Sequence, residues 1–222
     1  METWKDELFA DKLLSLIYHK IKAYDKRILE LKYNLKIAIA KGKTRMQKRI
    51  ARRLVRTYKA KENLNNATDE IAEIKFSSVT FTFEKIKYGG KTIKKDGVIV
   101  FQYFNPAIAI HEMKHGFQYL NGQLVPGSNS SQPRYYDLND EVEAYIRQYY
   151  IDSNSLPEPV SSVENITTDY VKNIKNKVHG TFPYADLPSK ILNLPYYPRV
   201  KSNNDLFFPV YHQKINIIKL TR

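Results

Sequence analysis

Seven apolar residues near the start of the chain, Leu14, Ile17, Ile21, Tyr24, Ile28, Leu31 and Leu35, recur at alternating spacings of three and four. That is the a/d period of a coiled coil, and it commits this stretch to a long helix with one apolar stripe. The stripe needs a cover, and the next segment supplies one. Lys41-Gly42-Lys43 interrupts the helix, Gly42 being suited to the left-handed residue that ends it. Thr44-Arg45-Met46-Gln47 then has the form of a capping box, and Ile50, Leu54, Thr57 and Leu64 continue the helical period. Residues 5 to about 73 are therefore predicted to form an antiparallel helical hairpin whose apolar stripes are core.

The formal charge of +13 is unevenly spread, most sharply between Lys41 and Lys61, where ten Lys and Arg stand without an acid. Arg45, Lys48, Arg49, Arg52, Arg53, Arg56 and Lys59 fall on the outward side of the second arm. Such a face suits nucleic-acid phosphate, an anionic membrane surface or an acidic protein. Tyr58 is the sole aromatic residue of the stretch, which argues against stacking on single strands. The expected role is an electrostatic docking arm for an acidic protein or a nucleic acid, centred on Arg45, Arg49, Arg52, Arg53 and Arg56. The plainer alternative is a solvated face balanced by acids of the first arm.

Beyond the hairpin, Phe76 to Phe83 alternates and is rich in β-formers, Tyr88-Gly89-Gly90-Lys91 offers a hairpin turn, and Val98 to Tyr103 adds a second strand-like run. A small antiparallel sheet is expected. Asn105-Pro106 then breaks the chain and starts a helix over Ala107 to Leu120. The predicted fold class is α+β: helical hairpin, small sheet, two further helices and an irregular C-terminal extension. The expected divisions are residues 1–75, 76–152 and 153–222.

The helix after the sheet carries His111-Glu112-Met113-Lys114-His115. Two histidines four apart project from one helical face, where both imidazoles can bind one zinc ion. Glu112 sits one helical step round, within reach of a water held on the metal, as a general base must be. A catalytic zinc takes three protein ligands, so a third is needed. Asp140-Glu141-Val142-Glu143-Ala144 offers two carboxylates. Residues two apart on a helix point about 200° away from each other, so only one of them can face the ion.

Together these motifs resemble those of the gluzincins, the thermolysin-like clan of zinc metallopeptidases, over residues 98–150. The metzincin pattern is excluded, because Gln118 and Asn121 stand where its glycine and third histidine belong. In gluzincins a Glu on a second helix completes the site, with Ala or Ser three residues later. Glu141 with Ala144 fits that form, and Glu143 is the reserve. The resemblance implies a zincin-like core, one zinc per chain held by His111, His115 and Glu141, and peptide-bond hydrolysis with Glu112 as base. It also implies a substrate held along the strand before the motif helix, and an oxyanion donor from outside the motifs. His179, His212, Tyr135 and Tyr136 are residues of the right type. Two positions depart from the family pattern. Tyr145 replaces an acid or amide that orients a zinc-bound histidine, leaving that task to Asp137 or Asp140. Lys114 replaces an uncharged residue, and its ammonium is expected in solvent.

At 222 residues and 42% hydrophobic composition, the chain can bury one compact core with an appended element. The absence of cysteine excludes disulfides and thiolate-bound zinc, and is compatible with a reducing compartment. No secretory signal or membrane span is visible, so the expected location is cytoplasmic, or on a particle if the chain is a phage component. After Tyr150, residues 153–159 read as a linker, 160–178 as a helix and 180–200 as irregular, with residues 206–211 and 215–220 adding a strand or docking on the core. The expected function is a zinc endopeptidase acting on a peptide or protein. The alternatives are a structural or assembly protein, for example of a phage particle, keeping an inactive peptidase core, and a nucleic-acid-associated protease docking through the basic hairpin. The sequence sets no oligomeric state.

Overall fold

Helices α1 (Glu7–Ala40) and α2 (Thr44–Phe76) are the two arms of the hairpin, in a computed structural model that describes residues 7–126, 137–176 and 180–188. Ile17, Ile28 and Leu31 of the expected stripe are buried, joined by Ala10, Leu13 and Ala38. In α2 the buried residues Ala60, Leu64, Ala67, Ile71 and Ile74 repeat at four and three, the matching period. Gly42 adopts φ 62°, and the amides of Gly42 and Lys43 bond the carbonyls of Ile39 and Ala38. This is a Schellman closure, in which the left-handed residue costs least as glycine. The expected capping box is replaced. Lys43 is the N-cap without a side-chain bond, and the Gln47 amide donates instead to the Ala38 carbonyl at 3.1 Å, tying the arms across the turn.

The hairpin is packed differently at its two ends. At the open end Leu13, Ile17, Leu64, Ile71 and Ile74 join one core with Phe81 and Phe101 of the sheet and Ile110 and Met113 beyond it. Residues 7–75 and 76–152 thus share their principal core rather than burying two. Toward the turn, Leu31, Ala38 and Ile50 cluster with Leu35 and Leu54, all of them hairpin residues. At roughly 1.5–3 kcal/mol for each large side chain fully buried, the open end carries most of the hydrophobic stabilisation.

Strands β1 (Phe81–Lys85), β2 (Gly90–Lys95) and β3 (Val98–Tyr103) form a sheet in the order β1-β3-β2. The sheet is mixed, not antiparallel as expected: β1 runs parallel to β3 with Phe81 opposite Ile99, while β2 runs antiparallel with Lys95 opposite Val98. The hairpin turn is Asp96-Gly97, both at positive φ (51° and 81°), as a two-residue primed turn requires. Tyr88-Gly89 instead lies in the connection that carries the chain past β3 to the far edge. What places β1 beside β3 is aromatic packing: the Phe81 and Phe83 rings each lie 5.4 Å from the Phe101 ring.

Helix α3 (Pro106–Leu120) packs on the sheet and against α4 (Leu138–Ile151). Gly116 allows the close approach to β3, since a Cβ there would run into the Phe101 ring. The segment after α4 is neither linker nor long helix. Asp152 caps a 3-10 turn at Ser153–Ser155, Leu156 is buried, and a second 3-10 turn at Val163–Asn165 precedes the short α5 (Thr168–Lys172). The Thr167 side chain caps α5 at the Tyr170 amide, setting the helix start well inside the expected 160–178 span. Leu156, Ile166, Val171 and Ile174 cover Leu138 and Tyr145 of α4 in a second core. Residues 206–220 lie outside the described residues. Among the described residues, no helix is long and apolar enough to cross a membrane.

Candidate metal centre

The register of α3 is set at its start. The Asn105 side chain accepts from the Ile108 amide at 3.0 Å, with Pro106 in the first turn, where its missing N–H is harmless. From that start the helix turns His111 and His115 toward α4. Helix α4 begins with a capping box: the Asp137 carboxylate accepts from the amides of Asn139 and Asp140, and the Asp137 amide donates to Asp140 at 3.0 Å. One turn into α4, Glu141 faces α3, and Ala144 is fully buried between the helices.

His111, His115 and Glu141 are all buried and offer one ligand atom each within 4.8 Å of one another. The two Nε2 atoms stand 3.2 Å apart. Each lies 3.5 Å from one Glu141 oxygen, Oε2 for His111 and Oε1 for His115. Two ligands bound tetrahedrally at ~2.0–2.1 Å from one ion are themselves roughly 3.3–3.4 Å apart, so the spacing suits a shared metal. His111 Nδ1 and Glu141 Oε2 have no hydrogen-bond partner among the described residues despite their burial. Unpaired buried polar atoms are costly, and a carboxylate oxygen facing a cation would not be one. This group could hold a metal ion.

The charges of the group depend strongly on one another. Burial disfavours the Glu141 anion, but the charge of His115 and the closeness of the His111 and His115 ring nitrogens bring it down to about 2. Burial likewise opposes a charge on His115, yet Glu141 beside it, helped by Glu112 and Gln118, lifts it to about 9. The pocket thus favours an anionic carboxylate facing positive charge. Gln118 Oε1 lies 2.8 Å from His115 Nδ1, while the Gln118 amide donates to the Asp140 carbonyl and to Glu143. With Gln118 so anchored, Nδ1 of a neutral His115 is the protonated nitrogen and Nε2 keeps its lone pair. On the other side the Tyr145 ring meets His111 edge-on at 4.5 Å.

Glu112 shares the cleft. The Thr92 hydroxyl of β2 lies 2.8 Å from Glu112 Oε2 and 3.1 Å from its backbone carbonyl. Gly90 makes this closeness possible, because a Cβ there would strike the Glu112 carboxylate and the Ile108 side chain. Burial pushes Glu112 above the usual carboxylate range against the pull of the His111 and His115 charges and of Thr92; the Glu141 charge adds to the upward push. The cleft encloses about 180 Å³ between Gly90–Thr92 on one side and Leu124–Pro126 on the other, with Pro183 and Tyr184 beside it. The bordering strand is β2, at the sheet edge. β3, which directly precedes α3, is central.

Several expected roles fall elsewhere. Glu143, the reserve ligand, lies 3.2 Å from Lys114 Nζ and accepts from Gln118. Lys114 is not in solvent: its side chain is 10% exposed and bonds Glu70 of α2 at 2.9 Å. Arg147 of α4 reaches the same Glu70 through two nitrogens and Asn63 through a third, so one polar cluster joins α2, α3 and α4. Asp137 and Asp140 form the helix cap, and the bond to a histidine ring comes from Gln118. Tyr135, Tyr136, His179 and His212 lie outside the described residues. Arg45, Arg49, Arg52, Arg53 and Arg56 are exposed on the hairpin, with Arg56 3.3 Å from Glu164. Thr92, Gly90 and Tyr184 were not singled out for the site by sequence, since no local pattern marks a strand residue that meets a helix 20 positions later.

No protein-family model, curated protein or solved structure matches the chain.

Proposed function

We propose that this chain is a metal-dependent peptide hydrolase of the gluzincin type, with zinc as the ion. The observation that carries the proposal is the convergence of two imidazole nitrogens and one carboxylate on a common point, beside a separate buried carboxylate in the same cleft. A divalent ion held by His111, His115 and Glu141 would supply Lewis-acid polarisation of a carbonyl and a lowered pKa for a water.

The residues around it supply the rest. Glu112, desolvated and raised in pKa, suits a base that takes a proton from the attacking water and returns it to the departing amine. The two products are a carboxylate and an amine. Thr92 holds one Glu112 oxygen, and Gly90 leaves room for the carboxylate. An extended peptide would lie along β2 at the sheet edge, its carbonyl presented to Glu112, with Leu124–Pro126 as the opposite wall. Gln118 fixes the His115 ring, and Tyr145 packs the His111 ring.

The test is cleavage of a mixed peptide library by zinc-loaded protein, read by mass spectrometry, beside the Glu112→Gln variant. The expected result is one zinc per chain in both, with turnover lowered about 10²–10⁴-fold in the variant. Zinc-loaded wild type that leaves the library intact would contradict the proposal. So would a variant that cuts at the wild-type rate.

A further inference from the structure

We propose that the outward face of α2 near the hairpin turn docks duplex nucleic acid through its phosphates, without reading sequence. Residues 31–61, taken from both arms, contain twelve Lys and Arg and no Asp or Glu. The acids of the hairpin therefore lie outside this span, with Glu30 and Glu62 at its edges, and the field of the turn end is predominantly positive, Glu164 being the carboxylate that meets it, at Arg56.

Within that field the cations are ordered. Arg45, Arg49, Arg52, Arg56 and Lys59 follow spacings of four, three, four and three and are all exposed. They form one row along the side of α2 away from the buried Ile50, Ala60 and Leu64. At ~1.5 Å rise per residue the row is about 21 Å long, enough to follow several successive phosphates. Four of the five are arginines, whose planar fork matches phosphate oxygens. Among the described residues, no carboxylate makes an ion pair with Arg45, Arg49 or Arg52. The Arg56–Glu164 pair is exposed and readily exchanged for a phosphate.

The same face argues against other occupants. A helix lying on a bilayer needs an apolar face to sink into it, and the apolar stripe of α2 is buried against α1. Stacking on single strands needs aromatic rings, and Tyr58 is half-buried with Lys32 Nζ 5.7 Å from its centroid. An acidic protein would need a cluster of apolar anchors at the centre of the contact, and the exposed large apolar residues in the span of the row are two, Met46 at its start and Val55 nine positions on.

The test uses the full chain and a fluorescent 24-base-pair DNA duplex, with anisotropy read across a salt series. For four to five phosphates engaged, log K should fall against log salt with a slope of about −4. The triple variant Arg45→Glu/Arg49→Glu/Arg52→Glu should bind at least about tenfold more weakly with a shallower slope. The milder Arg45→Gln/Arg49→Gln/Arg52→Gln should move the same way, and circular dichroism checks that both variants keep the hairpin. A 24-nucleotide single strand, phosphatidylserine vesicles and polyglutamate serve as competing probes. A slope near zero, unchanged binding by folded variants, or preference for any of the three competing probes would overturn the proposal.

Discussion

Helix α3 and the turn half of α2 are both dense in polar side chains, and they dispose of them in opposite ways. Eleven of the fifteen residues of α3 are buried, among them His111, Glu112, Lys114, His115 and Gln118. Each of these faces a named polar group: Glu141 for the two histidines, Thr92 for Glu112, Glu70 for Lys114, and the Asp140 carbonyl for Gln118. Along α2 the row from Arg45 to Lys59 is exposed and leaves its charge in water. Burying a charge costs several kcal/mol unless it is matched, so a helix that buries this many is held to one geometry. Exposed charge imposes no such geometry and acts over a Debye length, about 8–10 Å in ordinary salt. The first arrangement is built to position atoms, the second to attract a surface.

The largest effect should come from the cluster that ties the hairpin to α3. Glu70→Ala leaves Lys114 and Arg147 without their shared partner and should lower stability by about 3–5 kcal/mol in urea denaturation. A loss within about 0.5 kcal/mol would show that these two cations find equivalent partners and that the contrast with α2 is false. Gly90→Ala should cost about 1–3 kcal/mol, because the added methyl group displaces Glu112 or Ile108. It should also lower peptide turnover; unchanged turnover would mean that Glu112 need not sit where β2 holds it. Gln118→Ala should weaken zinc affinity about 10–100-fold in competition with a chelator, since the His115 ring loses the bond that orients it. Equal affinity would remove Gln118 from the centre. Smallest of all, Arg52→Ala should stay within about ±0.5 kcal/mol of wild-type stability, and a larger loss would mean that the row is structural.

The same contrast explains what was legible in the sequence. Local periodicity announced the hairpin, because Ile17, Ile28, Leu31 and Leu64 are buried where the three-and-four spacing puts them, and Gly42 ends α1 as its missing side chain suggests. The His111–Glu112–His115 helix was legible for the same reason. The strands were legible as strands but not in order, since alternation tells which face is buried and not which neighbour a strand takes. Asp96-Gly97 makes the hairpin turn, and as an Asp-Gly pair it is a stronger turn signal than the glycine pair at Gly89 and Gly90. Lys114 is buried and not solvated because it pairs with Glu70, 44 positions earlier on another helix, beyond the reach of any local pattern. In the sequence alone Gln118 marks only a position where a glycine would signal another peptidase class. What it bonds depends on how α3 meets α4, which no local pattern encodes.

The central claim is that Glu141, not Glu143, joins the two histidines around one ion. Metal content after exhaustive dialysis, measured by inductively coupled plasma mass spectrometry on wild type, Glu141→Ala and Glu143→Ala, tests it most directly. The expected result is one zinc per chain in wild type and in Glu143→Ala, and a small fraction of that in Glu141→Ala. A full equivalent retained by Glu141→Ala, or none bound by wild type, would contradict it.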